Sequence, residues 1–346
     1  MRIAFALLLF VTAYAPVERE YELVFPRDEG SHPQFRTEWW YATGWLETNS
    51  GESLGFQITF FRSRPFSEIE NPSAFAPEHI LFAHAAIADA NKGKLVHEQR
   101  SARAGFDLAG AKEREMNVWI RDWIFRREHK HYIARVQAGQ FELDLKFMPE
   151  QRPLLQGDRG FSRKGKNAES ASHYYSLPQL AVTGSLSRDG KSEIVSGNAW
   201  LDHEWSSTLL EADAVGWDWI GINLADGGAL MVFQIRDSRG REHWAGGSYR
   251  DRDGALRTFG PEQIEFTALS HWKSPRSGTT YPVEWRVIVA DFEVTLRPMM
   301  QDQELDARSS TGALYWEGAV RAYQNGELAG RGYLELTGYD KPLRLN

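Results

Sequence analysis

The sequence contains no cysteine in 346 residues. This absence excludes disulfides, thiolate metal sites and cysteine nucleophiles, and it also excludes a lipid anchor on an N-terminal cysteine. A chain of this length buries enough apolar surface for two domains of ordinary size. We therefore expect a protein that is stabilised by its cores alone.

The motifs of several large enzyme classes are missing as well. No Gly-x-Ser-x-Gly elbow is present, and Ser206-Ser207 lacks the strand-turn-helix setting that a serine nucleophile of that type requires. The glycine patterns of phosphate-binding and dinucleotide-binding loops do not occur either. The glycine-rich pieces of this chain are typical of turns.

Positive charge is not in excess, because the formal net charge is -7. Binding of nucleic acid normally needs a concentrated basic face, and the one basic cluster of note runs from Arg159 to Lys166. The composition therefore predicts no nucleic-acid partner. Aromatic residues are frequent, with Trp 13, Phe 19 and Tyr 12, and they either line a ligand cavity or fill the cores.

No apolar run is long enough to span a membrane as a helix. The longest N-terminal run, Ile3 to Val11, follows Met1-Arg2 and precedes the small-x-small triplet Ala13-Tyr14-Ala15. This pattern is typical of a secretory signal peptide over residues 1–15, although Pro16 is a poor residue after a cleavage site. We expect an exported protein, periplasmic or extracellular, with peripheral association with the envelope as one option; the alternative is an apolar N-terminal strand.

A sustained helical period is also lacking, so helices should be few and short. Period-two alternation, which is typical of strands, recurs throughout, and turn residues such as Asp226-Gly227-Gly228 separate the segments. The predicted strands are Trp39 to Glu47, Leu54 to Phe61, Asn117 to Arg126, Tyr132 to Gln137, Phe141 to Phe147, Trp217 to Leu224, Ala229 to Arg236, Ile264 to His271, Val283 to Ala290, Phe292 to Arg297, Leu314 to Tyr323 and Glu327 to Thr337. The fold class is therefore all-β, and antiparallel barrels are favoured because closure removes exposed edges.

The second half of the chain repeats features of the first. Trp40, Phe56-Gln57-Ile58 and Gly197-x-x-Trp200-Leu201-Asp202 are echoed by Trp219, Phe233-Gln234-Ile235 and Gly330-x-x-Tyr333-Leu334-Glu335. This repeat predicts two barrels, and the first is longer, with excess residues in Arg64 to His79 and Pro149 to Ser172, where lids or partner contacts are expected. Because only the first copy keeps Asp202-His203-Glu204-Trp205, we expect function to lie mainly there.

The first predicted strand begins with Glu38-Trp39-Trp40-Tyr41. Alternation places Glu38 and Trp40 on one face and Trp39 and Tyr41 on the other. A carboxylate beside a tryptophan inside a barrel is desolvated, which raises its pKa and suits it to general acid catalysis. The alternative is structural: Trp40 plugs the barrel and Glu38 pairs with an arginine such as Arg36.

Asp202-His203-Glu204-Trp205 ends the first copy. An extended segment sends Asp202 and Glu204 to one face and His203 and Trp205 to the other. His203 can exchange protons near neutral pH, so it is a candidate base, and Asp202 is a candidate acid. We predict no metal here, because one histidine between two acids in a row does not give convergent ligands.

His84 lies in the apolar segment Phe82-Ala83-His84-Ala85-Ala86-Ile87. Such a histidine is either a satisfied core residue or, if it shares a cavity with His203, half of an acid–base pair. The phenols of Tyr174 and Tyr175 are candidate donors that protonate or polarise a double bond, and the alternative for them is packing at a strand edge.

Together these residues resemble the AttH/CrtC family, which includes carotenoid 1,2-hydratases and predicted secreted hydrolases. The resemblance runs from about residue 20 to the C-terminus. It is carried by His32-x-x-x-x-x-Glu38-Trp39-Trp40-Tyr41-x-Thr43-Gly44, Phe82-Ala83-His84, Gly157-Asp158-x-Gly160-x-Ser162, Tyr174-Tyr175-Ser176, Gly197-x-Ala199-Trp200-x-Asp202-His203-Glu204-Trp205 and Tyr315-Trp316-Glu317-Gly318.

The resemblance implies two tandem lipocalin-like (calycin) antiparallel β-barrels with few short helices, at residues 20–207 and 208–346. It also implies hydratase chemistry, in which an acid protonates an alkene, a base delivers water and aromatic rings stabilise the cation. The family's His-x-Trp motif falls on His203 and Trp205, and its tryptophan pair falls on Trp39 and Trp40. A downstream tyrosine-aspartate pair has no counterpart, because the strand there reads Leu230-Met231-Val232-Phe233.

The sequence therefore predicts an exported protein that binds a small apolar molecule, such as an isoprenoid, a carotenoid or a fatty acyl chain, in the first barrel or between the barrels. The alternative is a hydratase, isomerase or hydrolase that needs no cofactor. A third, less favoured reading is a structural protein that presents the Arg159 to Lys166 loop to a partner. The candidate catalytic residues are His203, Glu38, Asp202 and His84. The candidate ligand-binding residues are Trp39, Trp40, Tyr41, Tyr174, Tyr175, Trp200 and Trp205.

Overall fold

The computed structural model of the protein describes residues 14–65, 73 and 76–343. The predicted signal peptide, residues 1–15, lies almost wholly outside the described residues, and so does the middle of the predicted loop Arg64 to His79. Export therefore stays a prediction. Within the described part of the chain, no helix has the length and apolar character needed to cross a membrane.

Alternating sequence segments form one antiparallel sheet of 13 strands in the first half of the chain. The strands are β1 (Thr37–Thr48), β2 (Ser53–Ser63), β3 (Ile80–Asp89), β4 (Lys94–Arg103), β5 (Ala109–Ala111), β6 (Asn117–Ile120), β7 (Trp123–Glu128), β8 (His131–Gln137), β9 (Phe141–Met148), β10 (Leu154–Leu155), β11 (Phe161–Arg163), β12 (Ala171–Arg188) and β13 (Lys191–Thr208). Their order is β4-β3-β2-β1-β13-β12-β9-β8-β7-β6-β5, and β10 and β11 pair with β12. Strands β3 and β4 also contact β6, so the sheet curls into a barrel.

The second half forms a separate antiparallel sheet of 10 strands. The strands are β14 (Ala214–Leu224), β15 (Ala229–Asp237), β16 (Glu242–Arg250), β17 (Leu256–Phe259), β18 (Ile264–Lys273), β19 (Thr280–Val289), β20 (Phe292–Pro298), β21 (Glu304–Ala307), β22 (Ala313–Gln324) and β23 (Glu327–Leu336). Their order is β17-β16-β15-β14-β23-β22-β20-β19-β18, and β21 pairs with β22. The only helical segments among the described residues are two 3₁₀ turns, Arg27–Glu29 and Pro261–Gln263. The predicted fold class, two tandem lipocalin-like barrels, is confirmed.

Each barrel has a core of its own, and a third apolar cluster lies between the barrels. In each barrel the first and last strands of the chain segment pair with each other, and the two barrels meet there, because β1 contacts β23 and β13 contacts β14. The interface cluster includes Tyr41 and Trp200 from the first barrel and Trp219 and Tyr333 from the second. Both faces of these strands are therefore buried: one faces the barrel interior and the other faces the partner barrel.

The sequence repeat marks equivalent positions only in part. Leu201 and Leu334 both fill barrel interiors, whereas Asp202 and Glu335, one residue later, both line the cavity between the barrels. In the Phe-Gln-Ile echo, by contrast, Phe56 belongs to the first barrel's core and Phe233 to the interface. In the strand pairing, Gln57 corresponds to Met231 and Tyr41 to Trp219, so the echoed residues Gln234 and Trp40 stand three and one residues out of register. An odd displacement reverses the face of a side chain in a strand. The echo of Trp40 in Trp219 fails for the same reason, since Trp40 lies in a core and Trp219 at the interface.

Candidate functional site

A cavity of about 330 Å³ lies between the two barrels. Strands β1, β2, β3 and β13 supply one wall, and β14, β15, β22 and β23 supply the other. Much of its lining is aromatic, including Trp39, Phe61, Trp217, Trp219 and Phe233. Both halves of the chain build this cavity, as expected for a binding place between the barrels, whereas most of the predicted site residues come from the first copy.

Asp202 is the central polar group of the first barrel's wall. Its carboxyl group accepts hydrogen bonds from Tyr174 Oη at 2.6 Å, Ser176 Oγ at 2.5 Å and Trp200 Nε1 at 2.6 Å. All three donors are neutral. Burial raises the pKa of Asp202 to about 7, although these hydrogen bonds act in the opposite direction. Asp202 can therefore both give and take a proton near neutral pH.

Glu335 lies on the wall that the second barrel provides, at the position equivalent to Asp202. Burial raises its pKa to about 8, a hydrogen bond from Trp217 lowers it, and the negative charges of Asp202 and Glu204 raise it further. A third carboxyl group, that of Glu317, lines the same cavity, and burial followed by the charge of Glu335 raises its pKa well above the usual range. The cavity thus holds several carboxyl groups that keep their protons at neutral pH.

Glu204 differs from these acids because it has a cationic partner. Lys164 Nζ lies 2.9 Å from Glu204 Oε1, and both side chains are almost completely buried. The ammonium group also lies 4.7 Å from the ring centre of Tyr174 and 4.3 Å from that of Phe233, so the rings help to hold its charge. The pair leaves a carboxylate base beside the carboxylic acids.

Tyr41 brings a phenol to the same space. Its hydroxyl faces the Glu317 carboxyl group, and burial, followed by the charges of Glu317 and Glu335, raises the pKa of Tyr41 well above its usual range. Both residues line the cavity. Polar groups within a largely aromatic lining favour a ligand with a polar group as well as an apolar body.

His84 reaches the cavity from β3. Its Nδ1 bonds with the Tyr315 hydroxyl and its Nε2 lies 2.8 Å from Ser310 Oγ, and both partners belong to the second barrel. Burial, followed by the charge of His97, lowers the pKa of His84 to about 3. His84 is thus a neutral histidine with both ring nitrogens engaged, and it does not contact His203.

His203 and Glu38 lie together on the opposite face of the same strands, inside the first barrel. Glu38 Oε1 contacts His203 Nε2 at 2.9 Å and His32 Nδ1 at 2.8 Å, and Glu38 Oε2 lies 2.9 Å from Arg62 Nε. Burial alone would raise the pKa of Glu38, but Arg62 and the two histidines hold it well below its usual range. Glu38 pairs with an arginine, as its structural alternative expected. The partner is Arg62 and not Arg36.

Aromatic side chains surround His203. It stacks on Trp40 with ring centres 4.8 Å apart, lies 4.8 Å from Trp205, and hydrogen bonds with the Tyr175 hydroxyl at 3.2 Å. Burial lowers its pKa to about 4 in spite of Glu38. His203 is therefore a neutral histidine inside a packed barrel.

The eleven predicted site residues fall into two groups. Asp202, His84, Trp39, Tyr41, Tyr174 and Trp200 lie at the interface between the barrels. Glu38, His203, Trp40, Tyr175 and Trp205 have their side chains inside the first barrel. The predicted alternation of faces is correct in both strands, and that alternation is what separates the two groups.

Sequence reasoning missed Glu335, Glu317, Lys164, Trp219 and Phe233 as site residues. The sequence did carry a signal for two of them. Glu335 takes the place of Asp202 in the repeat of Gly197-x-x-Trp200-Leu201-Asp202, and Glu317 belongs to Tyr315-Trp316-Glu317-Gly318, one of the segments that carry the family resemblance. Lys164 carried no such signal, because it lies in a predicted basic loop that gave no reason for a lysine to be buried.

One group of described residues has ligand atoms close enough for a metal ion, namely His32, Glu38 and His203, whose atoms lie within 4.8 Å of one another. These atoms already bond with each other, and the guanidinium of Arg62 contacts the same carboxylate. A cation would have to compete with that guanidinium. The arrangement is complete as a hydrogen-bonded charge cluster.

A family model described as AttH-like matches residues 16–339. Among solved structures, an AttH-like protein of Nitrosomonas europaea is 49% identical to this chain, with a TM-score of 0.89 over 94% of this chain and 99% of that one. Kievitone hydratase of Nectria haematococca has a TM-score of 0.71 at 14% identity over 95% and 98% of the two chains. CghA, solved with Sch210972, has a TM-score of 0.53 at 12% identity over 89% of each chain. No curated protein matches the sequence.

Proposed function

The chain belongs to the AttH-like family, and from this premise we propose that its interface cavity binds a small, mainly apolar molecule and adds water to, or removes water from, a carbon–carbon double bond of that molecule. The observation that carries the proposal is Asp202. It is a buried carboxyl group with a pKa of about 7 that faces an aromatic cavity, opposite its counterpart Glu335.

The chemistry needs an acid, a base and a water molecule. In the hydration direction, the carboxylic acid of Asp202 or Glu335 gives its proton to one alkene carbon. The oxygen of water bonds to the other carbon, and a proton of that water passes to a carboxylate, for which Glu204 is placed beside Lys164. Return of the proton from Glu204 to Asp202 or Glu335 through solvent restores the starting state, so the sum is the addition of one water, with no oxidant, reductant or cofactor.

The aromatic side chains support the same step. Protonation of an alkene makes the neighbouring carbon electron-poor, and the faces of tryptophan and phenylalanine rings stabilise a cation. Trp39, Trp219 and Phe233 supply such rings around the cavity. The fold is shared with kievitone hydratase, which is a hydratase by name, and this likeness agrees with the proposal without carrying it.

Binding without chemistry is the second candidate, because the apolar lining alone suits a carrier of isoprenoids or acyl chains. We also keep export as a proposal, checked by the mass of the mature N-terminus after secretion. The interior of the first barrel is the less suitable binding place, since Trp40, Trp123, Trp205 and Phe56 fill it.

The test compares wild type with Asp202→Asn, with Asp144→Asn as a matched control at an exposed ion pair. Each purified protein is extracted with solvent, and the co-purifying molecules are identified by mass spectrometry after incubation in H₂¹⁸O. We expect an ¹⁸O-labelled water adduct from wild type and the control, and an unmodified alkene in Asp202→Asn. An identical, unlabelled ligand in all three proteins would support the carrier.

A further inference from the structure

A second open space lies on the outside of the molecule, in a cleft of about 1210 Å³ between the barrels. Residues 150–163 of the first barrel form one side, and β16, β17 and the turn that joins them form the other. The cleft shares Phe233 with the inner cavity but none of its carboxyl groups. Its chemistry is therefore separate from that of the proposed hydration site.

Arg250 is the group that sets this cleft apart. Its side chain, at the end of β16, is 7% exposed, and its guanidinium donates to the backbone oxygen of Arg152 at 2.7 Å and to Oε1 of Gln151. Both acceptors are neutral, and no carboxylate of the described residues lies within ion-pair distance. Burial lowers the pKa of Arg250 with no opposing charge. A buried cation without a counter-charge is costly, so an anion is the missing partner.

The rest of the cleft reinforces this charge. Six arginines and four carboxylates line it, in a protein whose formal net charge is -7. Two of the carboxylates are already paired, Asp158 with Arg19 at 2.7 Å and Asp253 with Arg252 at 3.8 Å. A third, Asp251, accepts from backbone N–H groups of its own turn at 2.9 Å. Arg152 and Arg159, by contrast, extend from the loop as exposed cations.

An apolar surface lies beside these charges. The guanidinium of Arg163 stacks on Trp244 at 4.3 Å from the ring centre, while Trp244 Nε1 donates to the Arg163 backbone oxygen at 3.0 Å. Phe161 lines the first barrel's side of the cleft, and the Phe233 ring lies over Gly246 on its floor. The apolar group next to Arg250 itself is Leu256, which pairs with Arg250 across β16 and β17 and is 46% exposed. The apolar body of a small ligand can therefore lie on Leu256 while its anionic group reaches Arg250.

We propose that this cleft binds a small organic anion, whose single carboxylate or phosphate group pairs with Arg250 and whose apolar body lies against Leu256. A guanidinium offers a planar pair of donors that matches either oxyanion. The basic cluster from Arg159 to Lys166 thus serves two spaces: Arg159 and Arg163 face the cleft, and Lys164 faces the inner cavity.

The test measures binding of two probes, hexanoate and inorganic phosphate, by calorimetry at low ionic strength. Wild type is compared with Arg250→Gln, which removes the charge, and with Arg250→Lys, which keeps the charge but loses the planar pair of donors. Arg135→Gln is the matched control, because this exposed arginine pairs with Asp144 and does not line the cleft. Hexanol, which lacks the charge, reports the apolar contribution alone.

We expect saturable binding to wild type that is unchanged in Arg135→Gln. The affinity should fall about tenfold or more in Arg250→Gln and by less in Arg250→Lys, since charge-assisted pairs depend on both charge and geometry. The tighter probe identifies carboxylate or phosphate as the ligand group. The proposal would be overturned if wild type showed no saturable binding, or if all variants bound with equal affinity. Absence of binding to wild type overturns it even if Arg250→Gln does not fold. Asp202→Asn should bind both probes like wild type, so this site and the proposed function can fail separately.

Discussion

Glu38 and Asp202 are two buried carboxyl groups on neighbouring strands, and their protonation differs. Burial disfavours the charged form of both. Glu38 nevertheless stays ionised, because Arg62 and two histidines surround it inside the first barrel. Asp202 has three neutral donors and keeps a pKa of about 7. The difference shows that the charge of the neighbours, and not the depth of burial, separates the structural acid from the candidate catalytic one.

The largest effect expected from this comparison is on stability. Glu38→Gln leaves the Arg62 guanidinium buried without its counter-charge, so we expect a loss of roughly 3–5 kcal/mol in the free energy of unfolding. At pH 4, where folded Asp202 is protonated, Asp202→Asn replaces it with a neutral isostere, and we expect a change within about 1 kcal/mol. Urea unfolding monitored by circular dichroism at pH 4 measures both, because Glu38 is still ionised in the folded protein at this pH.

Two further variants test the cause of that loss. Asp144→Asn breaks an exposed pair with Arg135 and should cost no more than about 1 kcal/mol. The double variant Glu38→Gln with Arg62→Met removes both charges and should recover part of the loss. Equal costs for Glu38→Gln and Asp202→Asn would contradict the assignment of different charge states.

The next effect is a pH dependence of opposite sign for the two acids. Asp202 has a folded pKa of about 7 against an ordinary 3.8, so between these values the folded protein holds a proton that the unfolded chain has released. Its contribution to stability therefore falls as pH rises through this window, by at most about 1.4 kcal/mol per pH unit. Glu38, whose pKa is lowered, contributes stability that is lost as pH falls.

The measurement is the difference in unfolding free energy between wild type and Asp202→Asn across pH 4 to 8. We expect this difference to decrease as pH rises to about 7 and then to level off. Asp144→Asn should run parallel to wild type at every pH. A difference between wild type and Asp202→Asn that does not change with pH would mean that Asp202 is ionised when folded.

Much of the fold was accessible from the sequence. Alternation and turn residues predicted many of the strands, and the family motifs predicted the tandem barrels. The predicted strand Asn117 to Arg126 is wrong in one respect, because it is two paired strands, β6 and β7, and the long strands β12 and β13 were not predicted. Alternation also separated Glu38 and Trp40 from Trp39 and Tyr41 correctly. It could not predict which face meets the other barrel, because both faces of β1 and β13 are buried and neither carries the polar signal of a solvated surface. For the same reason, the convergence of Glu317 and Glu335 with Asp202 depends on how the barrels dock.

The smallest expected effect concerns the chain of donors behind Asp202. Trp219 Nε1 donates to Tyr174 Oη at 3.0 Å, and Tyr174 donates to Asp202. Trp219→Phe removes the first donor, which weakens the stabilisation of the carboxylate and should raise the pKa of Asp202 by a few tenths of a unit. The pH-dependent part of the stability curve should then shift slightly to higher pH.

The control for this prediction is Trp285→Phe in the second barrel. Trp285 is similarly buried, but its Nε1 has no hydrogen-bond partner among the described residues. Both substitutions remove the same atoms, so the excess cost of Trp219→Phe, about 1 kcal/mol, measures the hydrogen bond to Tyr174. If the two variants lose equal stability and neither shifts the pH dependence, Trp219 contributes only packing. The pKa of Asp202 is then set by burial and by its three direct hydrogen-bond donors, without a contribution from Trp219.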